Sequence, residues 1–443
     1  MTIRGLPRRL ATSGLTMLAF QPAIAGDAVA QSPGDEVRTL ARHPAVVRAF
    51  EAIEASDDRT VADLIRLTEI AAPPFMEGER ASAYAALLDE AGADSVFIDD
   101  EGNVVAFRPG RGGDGATVDG RRRVVAISGH LDTVFPPDVD VSVTRRADTL
   151  FAPGIGDDTR GLVAVLAILR ALEAAGLETR SDVWLIGTVG EEGLGDLRGM
   201  KYLFREGAPP IDAWIDLDGT GLGRIVNKGL GSYRYRVDFR GSGGHSWGAF
   251  GLANPGHALG RAIRHFQDAA DSLTRSGPRT SYNVGRLGGG TSVNSIPFEA
   301  WMEVDMRSVS PESLDRIDAV FRAAMTRALE EENALRRDGA PLELELEKIG
   351  DRPSGEIPDD HPLVLRAVAA TELFGGEPEL ARSSTDSNIP ISLGIPAVTI
   401  QSGGDGGGAH SPDEWWINDD GHLAIQAALL VLVAEAGLAE TVP

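Results

Sequence analysis

Apolar positions recur at helical spacing through Ala45–Ile53 and Val61–Ile70, so residues 36–73 read as helices that Pro73-Pro74 stops. A further helix fits Glu79–Ala91. The pattern then changes to short apolar runs separated by helical segments. Val124–Ile127 reads as a strand, Gly161–Ala175 as an apolar helix and Val183–Val189 as a strand. Met200–Arg205 reads as a short helix and Trp214–Leu217 as another strand. Alternation of this kind predicts an α/β layer in which helices cover both faces of a sheet.

At Gly231 the period changes again. Ser232–Phe239 alternates as a half-exposed strand, Pro255–Ala270 is helical, and Thr280–Leu287 and Ala300–Arg307 are strands. Ser313–Ala334 is a long amphipathic helix, and Leu342–Ile349 alternates apolar residues with Glu. The order βαββαβ is that of a self-contained α+β, ferredoxin-like unit. Asp351-Arg352-Pro353-Ser354-Gly355 reads as its exit linker. Residues 361–443 return to α/β, with strand Ala397–Gln401 and helix Leu423–Ala436. The prediction is one domain built from residues 36–230 and 351–443, with a second domain, 231–350, inserted into it. A chain of 443 residues is too long for one ordinary core, which fits two. Residues 109–120, rich in Gly and Asp, read as a loop tip.

Composition narrows the partners more than the fold. Against 66 acidic residues stand 42 basic ones, a net charge of -24, which argues against nucleic acid and anionic membrane surfaces as partners. Cysteine is absent, so there is no disulfide, thiolate ligand or cysteine nucleophile. Residues 1–30 are set apart: Arg4, Arg8 and Arg9 precede an apolar stretch from Leu10 to Phe20, followed by small residues at Ala23-Ile24-Ala25 and Ala28-Val29-Ala30. That is the layout of a secretory signal peptide and predicts an exported, periplasmic or secreted protein, cytoplasmic if this segment is not a signal. Beyond residue 30 no run is long and apolar enough to span a membrane.

Five short segments carry the candidate chemistry: His130-Leu131-Asp132, Asp157-Asp158, Glu191-Glu192, Asp216-Leu217-Asp218 and His410. Two imidazoles with several carboxylates are what two zinc ions and a bridging carboxylate require. In an extended segment His130 and Asp132 point to the same side, which places Asp132 to orient the imidazole or to stand near a metal itself. Asp157-Asp158 precedes the apolar helix, where a carboxylate also serves as a cap. Glu191-Glu192 ends a strand between glycines; neighbouring side chains diverge, so Glu191 is read as general base and Glu192 as ligand. His43, His257, His265, His361 and His422 sit in ordinary helical or turn contexts. One competing pattern is Gly244-His245-Ser246-Trp247-Gly248, a G-x-S-x-G match with Asp386 and His410 downstream in the order of a serine hydrolase. A Gly-rich turn precedes it and a loop follows it, where an elbow needs a strand and a helix. A non-catalytic binding protein on the same fold is the other alternative, opposed by the intact Glu191 and ligand set.

Taken together, and in this order over roughly residues 40–440, the segments resemble the di-zinc family of aminoacylases, carboxypeptidase G, succinyl-diaminopimelate desuccinylase and tripeptide aminopeptidase. The resemblance implies a zinc-peptidase catalytic domain, a mixed sheet flanked by helices, with an inserted lid and dimerisation domain. It implies two Zn²⁺, or Co²⁺ or Mn²⁺, bound by His130, Asp157, Glu192 and His410, with Asp157 bridging and Asp132 orienting His130. The last ligand falls on Asp216 or Asp218, with Asp218 preferred because its Asp-Gly resembles the aminopeptidase branch. It further implies that His245 contacts the substrate carbonyl, often across a dimer, and that Asn294 binds substrate. Arg307 would clamp a substrate carboxylate, or else serve as a strand-end ion pair with Asp305. The expected substrate is a small peptide or N-acyl amino acid, and the expected assembly is a homodimer. Aminopeptidase, carboxypeptidase and deacylase activities all remain open.

Overall fold

Four parallel strands carry the architecture. In spatial order they are Asp182–Thr188, Val124–His130, Ala213–Leu217 and Ala397–Ile400. They sit inside a nine-stranded mixed sheet in a computed structural model that describes residues 31–111 and 117–439. Ser95–Ile98 and Val104–Arg108 extend one side antiparallel; Arg224–Gly229, with Gly355–Glu356 and Glu379–Ser383 paired to it, extends the other. Every residue of Val124–His130 and of Ala213–Leu217 is buried. That burial on both faces explains the unbroken apolar runs in the sequence. Helices Arg160–Ala175 and His422–Ala436 pack in the same core with nearly all-apolar sequences. Each fully buried Leu or Val there contributes about 1.5–3 kcal/mol relative to exposure.

Residues 231–352 build a different layer. Its strand order is Thr280–Gly289, Glu299–Ser308, Gly231–Arg240, Glu343–Arg352, antiparallel throughout. That is the order expected of the βαββαβ pattern. Glu299–Ser308 alternates strictly between half-buried and buried positions, as a sheet with only one face on a core must. Helices Pro255–Thr274 and Pro311–Leu335 cover the buried face, and Phe239, Phe266, Met302, Phe321 and Met325 form a core of their own. Asn254 and Ser310 cap these helices by accepting from the Gly256 and Ser313 amides, and Pro occupies the first turn of both.

The signal segment predicted at 1–30 lies outside the described residues. Within 109–120, Thr117–Val118 pairs with Arg121–Arg122 as a short hairpin, and 112–116 are also outside. Among the described residues no helix is long and apolar enough to cross a membrane. His43 and His361, read as ordinary turn histidines, are helix caps whose Nδ1 accepts from the Ala45 and Leu363 amides.

Candidate metal centre

Because the four central strands run the same way, their carboxyl ends open on one edge of the sheet, where such folds bind ligands. His130 ends one strand, Glu191 and Glu192 follow a second, Asp218 follows a third, and His410 lies in the loop after the fourth. Asp157 arrives from the other direction, in the turn before helix Arg160–Ala175. Asp158 locks that turn to the strand. Its Oδ2 accepts from the His130 amide and its Oδ1 from the Gly161 amide, both at 3.0 Å. Nothing larger than glycine fits at 161, since a Cβ would lie 2.3 Å from Asp158 Oδ1 and from the Leu217 carbonyl oxygen. Asp158 is thus the cap that the sequence allowed for, and Asp157 is the member of the pair left to face the site.

Asp157 is the centre of the constellation. Its Oδ1 lies 3.1 Å from His130 Nε2 and its Oδ2 3.2 Å from His410 Nε2. His410 Nε2 is also 2.9 Å from Glu192 Oε1. Ligand atoms of His130, Asp157 and Asp218 lie within 4.8 Å of one another, as do those of Asp157, Glu192 and His410. One carboxylate therefore joins two groups of three donors, each containing one imidazole. Asp216 belongs elsewhere: it accepts from Ser128 Oγ at 2.7 Å and Thr399 Oγ1 at 3.2 Å inside the sheet. Of the two aspartates, Asp218 is the one the fold brings to His130 and Asp157.

Asp132 works through other atoms than its spacing suggested. His130 Nδ1 meets the main-chain oxygen of Asp132 at 2.9 Å, while the carboxylate is 3.8 Å away. That carboxylate instead accepts from the Glu191 and Glu192 amides at 3.0 and 2.8 Å. Asp132 therefore fixes the imidazole with its backbone and the glutamate pair with its side chain. Glu414, passed over in the sequence, does the same for Asp157. It is buried and accepts from the amides of Gly154, Gly156 and Asp157 at 2.8, 2.8 and 2.9 Å. Its only sequence signal was its place four residues after His410.

Charge is concentrated here. Burial opposes the charged form of Asp157, yet the two imidazoles hold its carboxyl well below the usual carboxylate range. Burial alone would lower His130, but its hydrogen bond to Asp157 and the nearby aspartates lift it well above its ordinary value. His410 is raised to about 10 by its bonds to Asp157 and Glu192. Asp218 is pushed up to about 7, first by burial and then by the charge of Asp157. Burial also raises Glu191, against the pull of Arg352. Buried carboxylates crowded in this way want a cation. Two imidazoles and three carboxylates are the nitrogen and oxygen donors that zinc, cobalt and manganese take. The residues present therefore fit such ions.

A cavity of about 460 Å³ opens over this edge, with Asp157, Glu191, Glu192, Asp218 and His410 on one wall. Arg234, Arg307 and Arg352 line it as well. Arg307 Nε donates to Asp305 Oδ2 at 2.8 Å and Arg234 Nε to Asp305 Oδ1 at 3.0 Å. Arg307 thus forms the ion pair with Asp305 and also lines the cavity. His245 and Asn294 do not line the cavity. His245 lies in a short two-stranded ribbon, Gly244–His245 against Ser295–Ile296, and Asn294 in the turn just before it; both residues are exposed. The Trp247 and Gly248 amides both donate to His245 Nδ1, at 3.2 and 3.3 Å, which puts the ring proton on Nε2. No helix follows Ser246, His410 faces Asp157 and Glu192, and Asp386 accepts from Thr188 Oγ1. The serine-hydrolase arrangement is therefore not assembled.

The family model described as Peptidase family M20/M25/M40 matches residues 126–436. The uncharacterized protein YqjE of Bacillus subtilis (strain 168) is 25% identical over 358 residues, covering 79% of this chain and 91% of that protein. Acetylornithine deacetylase of Myxococcus xanthus is 26% identical over 328 residues, 71% of this chain and 78% of the relative. The structure of aminopeptidase PepT from Bacillus cereus ATCC 10987 superposes with a TM-score of 0.65 at 22% identity, covering 86% of this chain and 98% of that one.

Proposed function

The chain belongs to peptidase family M20/M25/M40 and is a metal-dependent hydrolase of peptide or amide bonds; on that premise we propose that it works with two divalent ions, most simply zinc, on a small peptide or N-acyl amino acid. The observation that carries this reading is Asp157, one oxygen toward His130 and the other toward His410. His130, Asp157 and Asp218 would hold one ion, and Asp157, Glu192 and His410 the other. When bound, such ions polarise the scissile carbonyl and lower the pKa of water from about 15.7 toward about 7.

Glu191, on the cavity wall beside Glu192, is the base: it takes the proton of the attacking water and returns it to the leaving nitrogen. The terminal nitrogens of Arg307 bind a substrate carboxylate. His245 presents an Nε2 proton suited to a developing oxyanion. Because it stands outside the cavity, it reaches substrate only by movement of its ribbon or from a second copy, which supports a homodimer formed through residues 231–350. The N-terminal 30 residues support export. Similar proteins named for an aminopeptidase and a deacetylase both break a bond to an amine nitrogen, which supports an amine leaving group here.

The test is direct. Purified protein should hold close to two ions per chain by elemental analysis, and chelation should abolish hydrolysis of a panel of dipeptides, tripeptides and N-acyl amino acids. Full activity without metal would refute the reading, and activity lost on Ser246→Ala alone would favour the serine hydrolase.

A further inference from the structure

Glu191 is gripped by a side chain from the smaller sheet. Arg352, read from the sequence as part of a linker, is the last residue of strand Glu343–Arg352, and its side chain is 5% exposed. Its Nη1 donates to Glu191 Oε1 at 3.0 Å and to Ser384 Oγ at 2.9 Å, and its Nη2 donates to the main-chain carbonyl of Glu191. A planar fork with prongs on the backbone and the carboxylate of one residue fixes both; a point charge fixes neither.

The segment needs such a grip. Gly190 and Gly193 flank the glutamate pair with φ of 72° and 51°; Asp132 holds the two backbone amides, and Arg352 holds the Glu191 carboxylate itself. The smaller sheet holds the same segment twice more. The Asp351 amide donates to Asp196 Oδ1 at 2.8 Å, and Arg234 donates to the Gly193 carbonyl.

We propose that Arg352 is a positioning residue that aims the Glu191 carboxylate, and that through it the aim of the base depends on how the smaller sheet is seated against residues 191–196. This rests on Glu191 being the base. A base must sit within about 2.6–3.2 Å of the proton it takes. A displacement of about 1 Å costs on the order of 10²-fold.

The test uses full-length, metal-loaded protein. Arg352→Ala should lower kcat about 10²-fold with KM and ion content near wild type, and added guanidinium salt should restore part of the rate. Arg352→Lys keeps the charge without the fork and should still lose about tenfold in kcat; it decides the matter if Arg352→Ala does not fold. In combination, Glu191→Gln with Arg352→Ala should be no slower than Glu191→Gln alone. Unchanged kcat, a loss confined to KM, loss of an ion, or additive losses in the double variant would each overturn the proposal. Wild-type kcat in Glu191→Gln would instead refute the reading of Glu191 as base, so the two failures are distinguishable.

Discussion

The acidic edge of the larger sheet and the ribbon carrying His245, both assigned to one site in the proposed function, are built on opposite terms. At the edge, His130, Asp132, Glu191 and Glu192 are buried, and each is bonded to a neighbour that fixes it. On the ribbon, His245 and Asn294 stand in solvent, and Trp247 and Val293 beside them are 87% and 102% exposed. The lesson is that the proposed metal ligands are fixed by folding, whereas His245 and Asn294, on the proposed function, reach substrate only through a movement or a partner. Preorganised groups owe their effect to geometry paid for in advance; the ribbon's effect must be gained during binding.

The largest expected break in this comparison is at the edge. Glu191→Gln should lose about 10²–10⁴-fold in kcat while retaining both ions by elemental analysis. Glu192→Gln should lose an ion instead, and the reverse pattern would exchange the two roles. His245→Ala comes next, with a fall of about 10²-fold in kcat at unchanged ion content, as for the loss of one oxyanion donor. Mixing His245→Ala with Glu191→Gln protein under subunit exchange sharpens it. Recovered activity requires an intact pair drawn from two chains; none, despite confirmed heterodimers, rules out a contribution across the interface.

Smaller still is Glu414→Gln. It puts an amide nitrogen among three backbone donors and should weaken metal affinity about 10-fold by competitive chelation, while leaving the chemistry of the loaded enzyme near normal. The smallest effect is a proton count. His410, at about 10 in the metal-free protein, is protonated at pH 8, yet an imidazole binds metal only when neutral. Loading at pH 8 should therefore release about one proton or more per chain, seen as buffer-dependent heats in calorimetry. No buffer dependence would mean that loading does not take a proton from His410.

The same contrast explains what the sequence disclosed. His130 and Glu192 were legible because they end or follow apolar strands, which announce themselves, and Asp157 and His410 because each sits in a Gly-rich turn beside an apolar element. The alternation of Glu299–Ser308 likewise made the smaller sheet readable. Arg224–Gly229 and Glu379–Ser383 went unseen, since neither has an apolar period: RIVNKG and ELARS pair through backbone bonds that any sequence can make. Arg352 and Glu414 were hidden for another reason. Their partners lie 161 and about 260 residues away in the chain, and no local pattern encodes a bond of that span.

Lys228 lies opposite Glu356, and Gly229 opposite Gly355, so the chain leaves the larger sheet and re-enters it on adjacent antiparallel strands. Those strands are about 4.8 Å apart, the reach of an ordinary hairpin turn. Residues 230–354 therefore leave and re-enter the larger sheet at one point, and every proposed metal ligand lies outside them. A short turn in their place should leave a protein that still unfolds cooperatively and still takes up metal, yet no longer turns over substrate. An exchange at that one hairpin would keep the proposed metal ligands, but Arg352 and His245 would leave with the exchanged part.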